Sequence, residues 1–146
     1  MDIFKIIKIR FLLFFRDIFV YHTSSLEFRA KVYASVIAIK NGMTKCEEDL
    51  LNEIGLRIYK KDGARASLLV HVTKEYVNKI IEKNELDINA LIKNIDQELK
   101  KSSRFAYKIN IKDLKNFLDC SSGDEETRII QSRIIEFLQL EIKEFS

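Results

Sequence analysis

The 146-residue chain has no proline, no tryptophan and only four glycines. β-Sandwiches and barrels turn often, and tight turns draw on Gly and Pro. Their scarcity weighs against an all-β fold and for long helices joined by few breaks. Two cysteines, Cys46 and Cys120, are too few for a disulfide framework and read as buried or incidental thiols. No run of roughly 18 uncharged apolar residues occurs, which speaks against an ordinary membrane-spanning helix. Arg10, Arg16 and Asp17 interrupt any apolar stretch that a cleavable leader would use. Glycine-rich phosphate loops, H-E-x-x-H, C-x-x-C and nucleophile-elbow signatures are all missing. These absences together predict a cytoplasmic binding domain rather than an enzyme.

The composition that remains is 47% hydrophobic and 32% charged, which is globular rather than disordered. The length suits one domain with its own core. Net charge is only +3, but it is unevenly spread. Residues 57–83 hold seven Lys/Arg against three Asp/Glu, and residues 119–146 hold three against seven. Such asymmetry serves solvated helix faces or steers a charged partner.

Residues 2–20 read as a helix that is apolar nearly all round, with four basic and two acidic residues. Phe4, Ile7, Phe11, Phe14, Phe15 and Ile18 form its broad apolar face, suited to a protein partner, a dimer contact or a membrane interface. The polar stretch 21–25 predicts a break in which Ser24 or Ser25 caps the next helix. The chain therefore divides into an N-terminal helix, 1–22, and a helical domain, 23–146. In the second helix Leu26, Ala30, Tyr33, Ala34 and Ile37 share a stripe, and Asn41-Gly42 ends it. Thr44 and Glu47 have capping-box spacing at the start of the third, and Gly63 closes that helix after Lys60 and Lys61. Residues 64–83 repeat with helical period. Asp87 caps a further helix, and 100–104 is a break. Residues 105–118 form one or two short helices, with Phe105 and Tyr107 in the core. Ser122 and Glu125 repeat the capping-box spacing before a last helix whose stripe is Ile130, Ile134, Phe137, Leu138, Ile142 and Phe145. The fold class predicted is all-α, a single compact domain of about seven helices.

Segments 38–58 and 117–140 share a pattern: a helix ending, a Gly-containing polar turn, a Thr/Ser-x-x-Glu cap and an amphipathic helix. Asn41-Gly42-Met43-Thr44-Lys45-Cys46-Glu47-Glu48 and the stretch from Asp119 to Glu126 resemble the paired turns of the tellurite-resistance TerB-like family. The closing Ile134-Ile135-Glu136-Phe137-Leu138-Gln139-Leu140 is similar to that family's last helix. The resemblance spans about residues 26–145. It implies two pseudo-repeated helical halves, a non-enzymatic stress-response scaffold, and carboxylates gathered at the turns. The chain departs from the pattern at three places. Asn41 stands where the family usually has Asp, the first turn is one residue shorter, and Asp119 is not followed by Gly.

Three binding modes follow. Glu47, Glu48, Asp119, Asp124 and Glu125 would converge on Ca²⁺ or Mg²⁺ if the halves pack symmetrically; otherwise they are acids at helix starts, stabilised by the macrodipole, and need no cofactor. Lys100, Lys101, Arg104 and Lys108 are the candidates for contact with nucleic acid, the less favoured partner. A protein partner or homodimer, with peripheral membrane contact as a variant, is the favoured reading. Cys46 lies in a helix's first turn, where the dipole lowers a thiol pKa, but neither His22 nor His71 is tied to it by a motif.

Overall fold

The computed structural model describes Ile3 and residues 20–39, 42–82 and 87–146. The predicted contact residues Phe4, Ile7, Phe11, Phe14, Phe15 and Ile18 lie outside the described residues. Within them are six α-helices: α1 (Val20–Ile37), α2 (Lys45–Ile58), α3 (Gly63–Glu82), α4 (Ile88–Lys101), α5 (Ile111–Asn116) and α6 (Glu125–Phe145). Two 3₁₀ helices, Ser103–Lys108 and Phe117–Ser121, flank α5. No strand occurs among the described residues, so the domain is all-α.

Helix α1 is the axis of the fold. It touches α3, α4, α6 and the first 3₁₀ helix. Phe28, Ala30, Val32, Tyr33, Ala34, Val36 and Ile37 are all buried, on every side of the helix rather than along one stripe. A helix surrounded in this way shows little amphipathic period, because among its described side chains only Ser25, Glu27, Arg29 and Lys31 are left partly exposed along it. Phe28 meets Phe105 with ring centroids 5.0 Å apart, and Tyr33 meets Phe117 at 5.8 Å. The predicted break at 21–25 does not exist: α1 runs through Ser24 and Ser25, and the helix crosses the boundary set at 22/23.

Helices α2 and α3 form the closest pair. Gly55 of α2 lies against Ala66 of α3, where an added Cβ would stand 2.9 Å from the Ala66 Cα. Glycine here permits the close approach, and any side chain would force the helices apart. The connection between them departs from the sequence reading. Gly63 is the first residue of α3, and Asp62 caps that helix by accepting from the Ala64 and Arg65 amides at 3.1 and 3.2 Å. The left-handed turn is carried by Lys60 (φ 52°) and Lys61 (φ 68°), which lack glycine's freedom.

Other caps fall as predicted. Thr44 closes a full capping box with Glu47, and the Asp87 side chain accepts from the Ala90 amide at 2.7 Å. At α6 the cap is Asp124, not Ser122. Asp124 accepts from the Thr127 amide at 3.1 Å and from the Thr127 hydroxyl at 2.7 Å, whereas Ser122 closes the preceding 3₁₀ helix. Asp succeeds where Ser was expected because it sits one residue before the first helical turn, within reach of two donors at once. Ile130, placed in the buried stripe by period, is 39% exposed, while Gln131 turns inward and donates to the Val36 carbonyl at 3.1 Å. Tyr107, expected in the core, is 81% exposed.

Candidate functional site: two acidic turns joined by a disulfide

The first turn enters from Gly42, whose φ of 130° suits only glycine. Thr44 follows in extended conformation, and its hydroxyl accepts from the Glu47 amide at 3.2 Å. Glu47 Oε1 in turn accepts from the Thr44 amide at 3.0 Å. This reciprocal arrangement draws the Glu47 carboxyl inward until it is fully buried, and its other oxygen, Oε2, has no hydrogen-bond partner. Glu48 points the other way and pairs with Lys74 of α3 at 3.3 Å.

The second turn is the 3₁₀ helix Phe117–Ser121 and its exit. Phe117 anchors it in the core. Ser121 is 2% exposed and its hydroxyl is unpartnered. Gly123, with φ of 89°, then reverses the chain in open space, and Asp124 starts α6.

Cys46 and Cys120 join these turns in a disulfide, with Cα atoms 5.7 Å apart. The reading of both as incidental thiols is therefore corrected. Composition cannot reveal the pairing: the residues are 74 apart, and only the packing of α2 against the second 3₁₀ helix brings them into range. Cys46 is exposed and Cys120 half-buried, so the link lies at the surface.

The disulfide brings together the neighbourhoods of Glu47 and Asp119, but the five predicted ligands do not become a metal-binding group. Among the described residues no cluster of three or more His, Cys, Asp or Glu side chains is placed to hold an ion. The reason is local. Glu47 spends an oxygen on its cap, both Asp124 oxygens engage Thr127, Glu48 is paired with Lys74, and Glu125 is exposed on the side of α6. Both sulfurs are consumed by each other.

Beside the first turn, a groove of about 300 Å³ runs between α2 and α3. Lys45, Glu48 and Asp49 line its α2 wall, and Ser67, His71 and Lys74 its α3 wall. Lys45 pairs with Asp49 at 2.8 Å, and His71 stands 3.9 Å from Glu75. The groove therefore carries alternating charge without a dominant sign.

Two interhelical clusters tie the remaining elements. Arg57 of α2 pairs with the buried Asp113 of α5 at 2.6 Å, which raises the Arg57 pKa through that hydrogen bond. Burial, and secondarily Asp113, pushes the neighbouring Tyr33 hydroxyl well above its ordinary value. Across the molecule, Lys31 reaches from α1 to Asn94 and Glu98 of α4 at 2.7 and 2.9 Å. Glu141 of α6 is nearly buried against Asp96 of α4. Burial, then a hydrogen bond to Asp96, pushes the Glu141 carboxyl up to about 7. Lys100 holds Asp96 below the usual carboxylate range from 2.9 Å.

The predicted nucleic-acid residues separate accordingly. Lys100 is committed to Asp96. Lys101 is exposed at the end of α4. Arg104 lies 5.6 Å over the Phe105 ring. Lys108 has its pKa lowered by burial and then by Arg29 and Arg104, and its neighbour in sequence, Tyr107, is exposed. None of the described helices is long and apolar enough to cross a membrane. Compared with known proteins, the chain matches no family model, no curated protein and no solved structure.

Proposed function

We propose that the protein is a non-enzymatic helical interaction domain, TerB-like in plan, whose linked turns form one recognition surface. It would serve as a stress-response scaffold, of the kind associated with tellurite resistance, and act next to a membrane through its N-terminal segment. One observation carries this reading. The two turns that resemble the family's paired acidic turns lie side by side, with Cys46 and Cys120, one from each, 5.7 Å apart at the Cα atoms. Glu48 lies two residues after Cys46 and Asp119 directly before Cys120, while Glu47 and Asp124 cap the helices that follow the two turns. A surface preorganised by two caps and a covalent link loses little freedom on binding a partner.

The disulfide also bears on location. Disulfides persist in oxidising surroundings and are rare where glutathione keeps thiols reduced. It supports a non-reducing compartment over the cytoplasm that the composition suggests, and leaves the membrane-proximal part of the proposal intact.

The test uses full-length protein with Glu48→Lys, at a half-exposed position paired with Lys74, and Asp119→Lys, at an exposed one. Chemical cross-linking in the producing cells should trap partners with the parent chain and lose them with the double variant, while circular dichroism stays unchanged. Equal cross-linking by both would defeat the surface assignment. Co-sedimentation with anionic vesicles, lost on Phe11→Glu with Phe14→Glu, tests the membrane part separately.

A second reading has an observation in its favour. Tyr107 is exposed and lies in sequence between Arg104 and Lys108, and an exposed aromatic ring with basic neighbours can stack on single-stranded nucleic acid. Binding to mixed-sequence RNA or DNA at low salt, weakened by Tyr107→Ala, is its measurable consequence; no binding at low salt excludes it.

A further inference from the structure

Five large apolar residues stand exposed among the described residues, and three of them, Ile129, Ile130 and Leu140, are on α6. The inward arc of this helix is occupied by residues such as Gln131, Ile134 and Leu138. On the opposite arc, Glu126, Ile129, Arg133, Glu136, Leu140 and Lys143 recur at steps of three and four residues. All six are exposed. No ion pair within the chain engages Arg133, Glu136, Glu126 or Lys143 among the described residues, although oppositely charged groups stand one turn apart. An outward stripe with this seam-like period is what a helix presents to another helix.

The order of residues along the stripe selects the occupant. Read from either end, it is the same pattern with the charges exchanged. Glu126 mirrors Lys143, Ile129 mirrors Leu140, and Arg133 mirrors Glu136, about a point between Ile134 and Ile135. A stripe of this kind is complementary to its own reverse. An antiparallel copy sets every acid against a base and every apolar residue against an apolar one. A parallel copy in register sets Arg133 against Arg133 and Glu136 against Glu136, which repel. The matched layers from Glu126 to Lys143 extend about 26 Å along the axis.

We infer that the chain self-associates as a two-fold symmetric dimer through antiparallel pairing of α6, in which Arg133 meets the partner's Glu136 and Ile129 meets the partner's Leu140. The apolar layers supply the attraction and the charged layers fix direction and register. One helix face is a small interface, so the dimer is a reversible one. This association is independent of what the linked turns or the N-terminal segment bind.

The test is sedimentation equilibrium on the full-length chain from micromolar to roughly millimolar concentration. The parent protein should show a monomer–dimer equilibrium. R133E should weaken it by at least about tenfold, because two-fold symmetry makes the repulsion occur twice. E136R should do the same. The R133E chain is acidic at both central positions and the E136R chain basic at both, so an equimolar mixture should recover the dimer as a heterodimer. The double variant R133E/E136R should recover it as a homodimer, to within about threefold of the parent affinity. All these positions are solvent-exposed, and unchanged circular dichroism confirms folding. A parent chain that is monomeric throughout overturns the inference. So does a dimer indifferent to R133E, which would place association elsewhere, such as the N-terminal segment. Loss of association that neither the mixture nor the double variant restores overturns it as well.

Discussion

The two acidic turns share a cap spacing in sequence and end as different structures. In the first, a threonine and a glutamate three residues apart form a reciprocal box that carries the Glu47 carboxyl into the interior. In the second, the serine and glutamate at the same spacing, Ser122 and Glu125, do not interact in this way. A 3₁₀ helix persists to Ser121, the chain turns at Gly123, and Asp124 takes the cap with Thr127. The difference shows that a cap motif becomes a cap only if the helix starts at its first residue. In the second turn the preceding segment is still hydrogen-bonded as a 3₁₀ helix, and the start slips by two residues.

The largest effect on this comparison should come from separating the turns. Cys46→Ser with Cys120→Ser removes a link that closes a long loop in the unfolded chain, which should cost about 2–4 kcal/mol. A lower urea midpoint for the double variant, matched by the parent chain under reductant, checks it. An unchanged midpoint would mean that packing of α2 on the second 3₁₀ helix holds the turns by itself.

Next comes the contrast between the two glutamates. Glu47→Ala deletes a fully buried side chain and half of the capping box, and should destabilise by about 1–3 kcal/mol. Glu125→Ala, on an exposed side chain, should stay within about 0.5 kcal/mol. Equal losses in thermal melting would erase the distinction drawn between the turns. Thr44→Ala and Asp124→Ala should be closer to each other, at about 1 kcal/mol apiece, since each removes the acceptor for an amide in a first helical turn.

A pH dependence is expected at the other end of α6, where a third buried carboxyl provides a contrast with Glu47. Folding raises the Glu141 pKa from an ordinary 4.5 to about 7. The folded state therefore holds this proton more tightly than the unfolded chain. The stability it contributes is complete below the ordinary value and is lost as pH rises through about 7. Asp96, held low by Lys100, acts in the opposite sense and only in more acidic solution. Melting temperature should thus fall from about pH 5 to about pH 8, and Glu141→Gln should flatten that slope. A slope unchanged by the substitution would assign it to other groups.

Much of the architecture was legible in the residues. Helical period found the buried Leu26, Ala30, Tyr33, Ala34 and Ile37 of α1, and Ile134 and Leu138 of α6. In α1 it found one stripe of a helix that is buried at Phe28, Val32 and Val36 as well. It failed at Ile130, which is exposed, while Gln131 turns inward and donates to the Val36 carbonyl. Of the candidate site, the capping box and the neighbouring acids could be read directly. The disulfide could not, since spacing along the chain says nothing about which cysteines meet in space.

By itself, then, the sequence determined that this chain is helical, where most helices start and which faces of the amphipathic ones turn inward. Those properties rest on contacts between residues a few positions apart. Tertiary structure alone decided that α1 is the axis, that Cys46 meets Cys120, that Glu141 shares its site with Asp96, and that the outward stripe of α6 is exposed among the described residues. Each of these depends on residues far apart in the chain, brought together by the packing of helices whose faces are broad enough to accept more than one neighbour.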